Sequence, residues 1–288
     1  MISIIITSYK EPNTIGKAIE SFLQQDIKDD YELIVAAPDK ETLNAAEKYA
    51  SKYKQIKIFK DLGKGKSFAL NLLLPKLKGK FIILTDGDVY VSKNSVNEIL
   101  KLFEDKKVGC VGGRPVPMED KSTKWGFFAN FLFDSAHQLR LKLWNNKEFL
   151  EVSGYFWAFK NGIINQIPID AAEDSIVPLM FQKKGYKIGY AENAKVYVKN
   201  VDNWKDWINQ KVRTSKGHET LNKYFPDRPV MKGLSQEAKG ALKIFSYPKN
   251  LKEFFWFIQL IAMRRYMWYK VKTGEKFKGD WEVISSTK

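Results

Sequence analysis

Cysteine is nearly absent. Cys110 stands alone among 288 residues, so a disulfide framework or a cysteine-based zinc site is excluded, and it reads as a small buried hydrophobe. Long apolar runs are missing too: no stretch reaches the roughly 18 residues that would suggest a membrane-spanning helix. The opening MISIIITSY carries neither a charged leader nor a small-residue cleavage site, so no signal peptide is expected and the cytoplasm is the expected location. Acids are in deficit, 33 against 48 lysines and arginines, which leaves a net charge of +15. Such an excess fits polyanionic company, whether nucleotide phosphates, nucleic acid or an anionic membrane surface, and equally a solvated lysine-rich exterior. Also lacking is a dinucleotide fingerprint. The first apolar run is followed by TSYKEPNTIG, without G-x-G-x-x-G, which argues against a nicotinamide-type enzyme and, more weakly, against a sugar nucleotidyltransferase.

What is present is a regular alternation. Short β-branched runs at 3–7, 31–36, 55–59, 81–85 and 108–111 alternate with helical spacings at 13–25, 40–52, 67–77 and 95–103. Asn13 stands as the expected cap of the first helix, and Asp39 lies near the start of the second. This order predicts an α/β domain with a mostly parallel sheet, helices on both faces and ligand bound at the carboxyl ends of the strands. Beyond residue 116 the rhythm changes. A long aromatic helix is expected over 125–144 and strands at 151–160, 187–190 and 194–199. Further helices are expected at 174–184 and 204–212, with an aromatic and basic stretch at 251–272. The chain thus divides into an α/β half (1–115), a second half of the same domain (116–225) and a C-terminal helical extension (226–288), with 226–236 as the loosest segment.

Four constellations could carry chemistry. In FIILTDGDVYV, Asp86 and Asp88 flank Gly87 just past the fourth strand, where two hard oxygen ligands suit Mg²⁺ or Mn²⁺; Asp-Gly is also an ordinary turn. GKGKS before the third helix is no Walker loop, since Lys60 occupies the first glycine position, but its lysines and glycines could approach an anion. Glu173 and Asp174 open a helix, as dipole partners or as a general base. Gln210 and Arg213 share a helical face in QKVRTSKG, as a diphosphate clamp or a solvated basic surface.

Taken in order, SIIITSYKEP, GKGKSFALNLLLPKLKGKFIILTDGDVYV, VGGRPVP, SGYFWAFKNG, AEDSIVPLMFQKKGYKIGYAENAKVYV and QKVRTSKG resemble the family 2 glycosyltransferases with a GT-A fold, over about residues 1–220. That resemblance implies a metal-dependent, inverting transfer from a nucleoside-diphosphate sugar, UDP- or GDP-linked, to an acceptor. Asp88 with Asp86 would hold Mn²⁺ or Mg²⁺, and Asp174 would be the base. Thr7, Tyr9, Glu11 and Asp39 would line the nucleotide pocket, while Lys66, Gln210 and Arg213 would face the diphosphate.

Three departures stand out: Lys10 where the family has asparagine, AAPD after the second strand, and Thr214 in place of the tryptophan of Q-x-x-R-W. The last argues against a processive polymerase and for a single addition to a lipid-linked or glycan acceptor, such as a cell-envelope glycan. The tail, FFWFIQLIAM running into Arg264 and Arg265, reads as a helix packed on the core or as a peripheral contact with the cytoplasmic face of a membrane. His218 reads as a further site residue or as a surface histidine. The rival readings are a degenerate nucleotide-binding relative and a basic nucleic-acid-binding protein that stacks bases on aromatics.

Overall fold

Ile2, Ile4, Ile5 and Ile6 are all buried, Ile5 in one core cluster and the other three in another. A β-branched run with no polar alternation is what a central strand covered on both faces requires. This strand, β1 (Ile2–Thr7), lies between β2 (Tyr31–Ala37) and β4 (Phe81–Asp86), parallel to both. β3 (Ile56–Lys60) extends the parallel part at one edge. On the other side of β4 runs β7 (Phe156–Lys160), antiparallel to it, then β6 (Val108–Pro117), β8 (Lys187–Val198) and the short β5 (Val89–Val91). The sheet order is β3-β2-β1-β4-β7-β6-β8-β5, and the β6–β8 pair is again parallel. The structure, a computed structural model, describes residues 1–229 and 246–273.

Helices cover both faces, as the alternation predicts. α1 (Ile15–Leu23), α2 (Lys40–Ala50) and α4 (Ser95–Leu102) bury Ile15, Ile19, Phe22, Ala46, Val96 and Ile99 against one face. α3 (Lys66–Leu73) and α6 (Glu173–Lys183) bury Leu70, Leu73, Ile176 and Phe181 against the other. A third cluster stands apart from the sheet. There α5 (Lys124–Asn145), α7 (Trp204–Thr220) and α8 (Leu251–Thr273) pack Phe127, Phe131, Trp207, Phe257 and Leu260 together.

Several boundaries differ from the sequence expectation. The first helix is preceded by Thr14, not Asn13, and no side chain caps it. The third ends at Leu73, because Pro75 lacks the N–H needed to continue it, and a 3₁₀ turn follows at Leu74–Lys76. The strands expected at 187–190 and 194–199 are one, β8, with an irregularity where Gly113 pairs with Ala191 and Arg114 with Lys195. β6 runs through to Pro117, so the division at residue 115 falls inside a strand. The strand expected at 151–160 begins only at Phe156, and residues 151–155 form a loop. The segment 226–236 lies outside the described residues from 230 onward, as does the C-terminal extension over 230–245 and beyond 273.

Candidate active site

The carboxyl edge of the parallel strands is built first by register. Thr7 pairs with Asp86 across β1 and β4, so both side chains emerge at one point. Thr7 Oγ1 donates to Asp86 Oδ1 at 3.1 Å, and Lys66 Nζ, at the start of α3, donates to the same oxygen at 2.7 Å. Gly65 and Gly63 have positive φ, which lets the loop turn Lys66 inward. Gly87 serves another purpose than backbone freedom, since its φ lies outside the left-handed region. A Cβ there would stand 2.3 Å from Ser8 Oγ and 2.7 Å from Glu11 Oε2, so glycine is required for space. Asp88 follows, half-buried, and helps push the nearby Tyr90 phenol up, behind the larger effect of burial.

The loop after β1 is tied down locally. Glu11 is buried; its carboxylate accepts from Ser8 Oγ at 2.6 Å and its N–H donates to Thr42 Oγ1 at 2.8 Å. Asp39 caps α2, accepting from Thr42 N at 2.9 Å and from Lys10 N at 2.8 Å. Burial pushes its carboxyl up, but these hydrogen bonds outweigh that and hold it below the usual range. Tyr9 is 40% exposed, with the Lys10 ammonium 5.3 Å from its ring centre. Lys10 itself has φ of 55°, a region asparagine tolerates better than lysine.

The second half reaches the same edge through β7. Thr85 Oγ1 donates to the Tyr155 carbonyl at 2.7 Å, pinning the 151–155 loop to the tip of β4. A Cβ on Gly154 would stand 2.9 Å from Asp174 Oδ2, so the bare backbone there makes room for that carboxylate. Beside it, Glu173 is buried and pairs with Lys66 at 2.9 Å. Lys66 therefore bridges Asp86 and Glu173. Burial opposes its charge, yet the two carboxylates prevail and hold the ammonium above its ordinary range. For Glu173 the balance is reversed: burial pushes its carboxyl up despite the pull of Lys66.

Tyr155 marks where these groups converge. Burial pushes its phenol up first, then the fields of Asp88, Asp86 and Asp174, while Arg213 pulls it down. Arg213 on α7 is thus brought to the rim with the three aspartates. Gln210, one turn earlier, lines a groove between α5 and α7 with Trp125, Phe128, Leu132 and Trp207. Phe133 on α5 stacks on Tyr155 with ring centres 6.2 Å apart.

His218 is not a surface residue. It is buried with Nδ1 3.8 Å from Glu151 Oε2, because α7 continues past the expected end at 212 and carries it into the interior. Arg228 approaches Glu151 Oε1 at 3.8 Å and donates to the His218 carbonyl at 2.9 Å, and Arg140 Nε donates to the Glu151 carbonyl at 3.0 Å. Sequence reading missed Tyr155, Glu151, Arg140 and Arg228. The one visible signal was an acid, Glu151, inside an otherwise apolar strand pattern.

Among the described residues no group of three or more His, Cys, Asp or Glu could hold a metal by itself. The donor set is a carboxylate pair, with one Asp86 oxygen already engaged. That fits a cation of the Mg²⁺ or Mn²⁺ kind, which completes its shell with water and substrate phosphate.

The family model described as glycosyl transferase family 2 matches residues 3–167, more than half of the chain. Probable glycosyltransferase YdaM of Bacillus subtilis (strain 168) is 24% identical over 231 residues, 76% of this chain and 55% of that protein. O-antigen chain rhamnosyltransferase WbaN of Salmonella anatum is 28% identical over 40% of this chain and 39% of its own length. The chain thus spans about half, or less, of the curated relatives it matches. Among solved structures, mannosyltransferase PcManGT from Pyrobaculum calidifontis, in complex with GDP-Man and Mn²⁺, superposes with a TM-score of 0.64 at 17% identity, covering 95% of this chain and 76% of that one. S. aureus TarS 1–349 in complex with UDP-GlcNAc gives 0.50 at 16% identity, over 94% and 82%. These likenesses establish the GT-A fold. With the family model covering both the aspartate pair and the loop that carries Tyr155, the chain belongs to glycosyl transferase family 2.

Proposed function

We propose that this chain is an inverting, metal-dependent glycosyltransferase that adds a single sugar from a nucleoside-diphosphate sugar to a lipid-linked or glycan acceptor, at a hydroxyl or a phosphate. The observation that carries it is the chain Thr7–Asp86–Lys66–Glu173 at the carboxyl edge of β4, with Asp88 two residues beyond Asp86 and Asp174 beside Glu173 against Gly154. On this reading Thr7, Tyr9, Glu11 and Asp39 border the nucleotide, and Asp88, with Asp86, holds Mn²⁺ or Mg²⁺ at the diphosphate. When bound, the cation neutralises charge on the leaving diphosphate. Lys66 orients Asp86 through its 2.7 Å bond to Oδ1. Gln210 and Arg213 bind the diphosphate from α7, where an arginine stabilises the charge that accumulates as the sugar departs.

With a hydroxyl acceptor, Asp174 accepts the proton as the acceptor oxygen bonds to the anomeric carbon. The bond from that carbon to the diphosphate breaks on the opposite face, which inverts the configuration. A general base in this position contributes about 10²–10⁴-fold. The exposed Thr214, whose Oγ1 turns back to the Gln210 carbonyl at 2.9 Å, presents no aromatic platform for a growing polymer, which supports a single addition. The names cholesterol galactosyltransferase and beta-monoglucosyldiacylglycerol synthase, carried by two relatives, support a lipid acceptor.

The test is a thermal-shift panel of UDP, GDP and their sugar conjugates, with and without Mn²⁺, on wild type and Asp88→Asn. The expected result is a metal-dependent rise for one nucleotide that Asp88→Asn abolishes. A wild type that responds to none of them would sink the proposal.

A further inference from the structure

Helix α8 has two faces of opposite character. Phe257, Leu260, Met267 and Val271 are buried against α5 and α7. The other face carries Leu251, Phe255, Ile258, Ala262, Tyr266 and Tyr269, spaced four, three, four, four and three residues apart, and all six are exposed. That spacing is one continuous stripe on an α-helix. Exposure reaches 78% at Leu251, 66% at Phe255 and 63% at Tyr269. Fourteen large hydrophobics are exposed among the described residues; six of them, Phe254 included, fall on this one helix, which makes it a patch and not the usual scatter.

The charges around the stripe have one sign. Lys252, Arg265, Lys270 and Lys272 are exposed on α8, and the helix has a single acid, Glu253. Glu253 is turned back on the helix start, accepting from Lys249 N at 2.7 Å and from Asn250 Nδ2 at 3.2 Å. The Lys252 ammonium lies 4.7 Å from the Trp256 ring. Lysine beside tryptophan at the edge of an apolar stripe is the composition of a bilayer interface. No described helix is long and apolar enough to cross a membrane, so an in-plane position is the one this chemistry fits.

We infer that the outer face of α8 docks on an anionic lipid bilayer, burying Leu251, Phe255, Ile258 and Tyr269 among the headgroups while Arg265 and Lys272 meet lipid phosphates. The chain's net charge of +15 favours that surface over a zwitterionic one. A bilayer explains both halves of the pattern, the apolar stripe and its cationic border. The inference goes beyond the transferase reading and does not depend on it.

Flotation of the full chain with vesicles tests it. Vesicles containing about a third phosphatidylglycerol should carry at least about ten-fold more protein than pure phosphatidylcholine, and high salt should reduce the difference. Phe255→Glu with Ile258→Glu should abolish flotation, and Arg265→Gln with Lys272→Gln should cut it several-fold on anionic vesicles. All four side chains lie outside the α5–α7–α8 core, so an unchanged thermal midpoint accompanies each variant. Three results would each overturn the inference: no flotation on either vesicle, flotation indifferent to Phe255→Glu with Ile258→Glu, or a lipid-free dimer in sedimentation that those two substitutions dissolve. Nucleotide response is measured without lipid, so a chain that floats but answers no nucleotide keeps this inference and loses the transferase proposal.

Discussion

The sheet changes direction between β4 and β7, and the two sides of that seam hold their polar groups by different means. On the β1–β4 side the polar contacts are made through strand register and helix starts. Ser8 bonds to Glu11, Asp39 caps its own helix, and Thr7 meets Asp86 through strand register. On the β6–β8 side the polar groups are buried and come from different helices and loops: Glu151 with His218 and Arg228, Arg140 on the Glu151 carbonyl, and His137 Nδ1 2.8 Å from the Tyr190 hydroxyl. A rim built from local caps can be formed by a pocket's own strands and helices. A rim built from buried charges exists only when α5, α7 and the 151–155 loop are all in place. The β1–β4 part of the rim is therefore expected to be preformed, and the proposed diphosphate contact from Arg213 to depend on the seating of α7.

The largest effect separates chemistry from donor binding across that seam. Asp174→Asn removes the proposed base and should lower turnover about 10²–10⁴-fold. Donor-induced thermal stabilisation should persist, because the β1–β4 side is untouched. Loss of turnover and donor response together would mean that the two sides are not separable.

Next in size is Glu151→Ala. It leaves Arg228 and His218 facing an empty, buried position, where unpairing a buried charge costs roughly 3–5 kcal/mol. The loss should appear in denaturant midpoints. It should also weaken the proposed diphosphate contact through Arg213, because the same helix carries Arg213 and His218. A stability loss with donor affinity unchanged would show that the Glu151 cluster does not seat α7.

Lys66→Met acts on the seam itself and should cost about 3 kcal/mol, with a pH dependence of known sign. The folded-state carboxyl of Glu173 is already raised, so the stability linked to it is present below its unfolded value near 4.5 and is lost as pH rises through the folded value. Removing Lys66 takes away the group that pulls Glu173 down, so the raised value climbs further and the loss extends to higher pH. The gap in thermal midpoint between wild type and Lys66→Met should widen from about pH 5 to about pH 8. A gap that narrows over that interval would contradict the bridge.

Legibility follows the same division. The strands and helices of the first 115 residues could be read because β-branched runs and helical spacings are local signals, and Asp39 was recognisable as a cap from its place before α2. Asp86, Asp88 and Asp174 were readable by motif. What escaped was whatever depended on distant partners. Residues 151–155 look like the start of a strand because Val152 and Tyr155 have strand propensity and lead into Phe156. The buried Glu151 side chain, the Thr85 bond to the Tyr155 carbonyl and the fit of Gly154 under Asp174 hold them as a loop instead. His218 sits near a motif in sequence, and only the length of α7 reveals that it turns inward. The need for glycine at 87 is set by Ser8 and Glu11, just past the carboxyl end of the neighbouring strand β1, and that close approach leaves no local signal.

The smallest effect tests the local side alone. Lys10 holds φ at 55°, and its N–H is fixed by Asp39 Oδ2 at 2.8 Å, so the backbone there is imposed by the cap and not chosen by the side chain. Lysine bears a steric penalty in the left-handed region that asparagine, with a short polar side chain able to bond locally, bears less. Lys10→Asn should therefore stabilise by about 0.5 kcal/mol, a rise of about 1–2 °C in thermal midpoint for a chain of this size. Asp39→Ala in the same background should erase that gain, because a backbone no longer tied to the cap is free to leave the left-handed region. Were Lys10→Asn to lower the midpoint, the Lys10 ammonium over the Tyr9 ring would be the stronger determinant, and the cap would not dictate the loop.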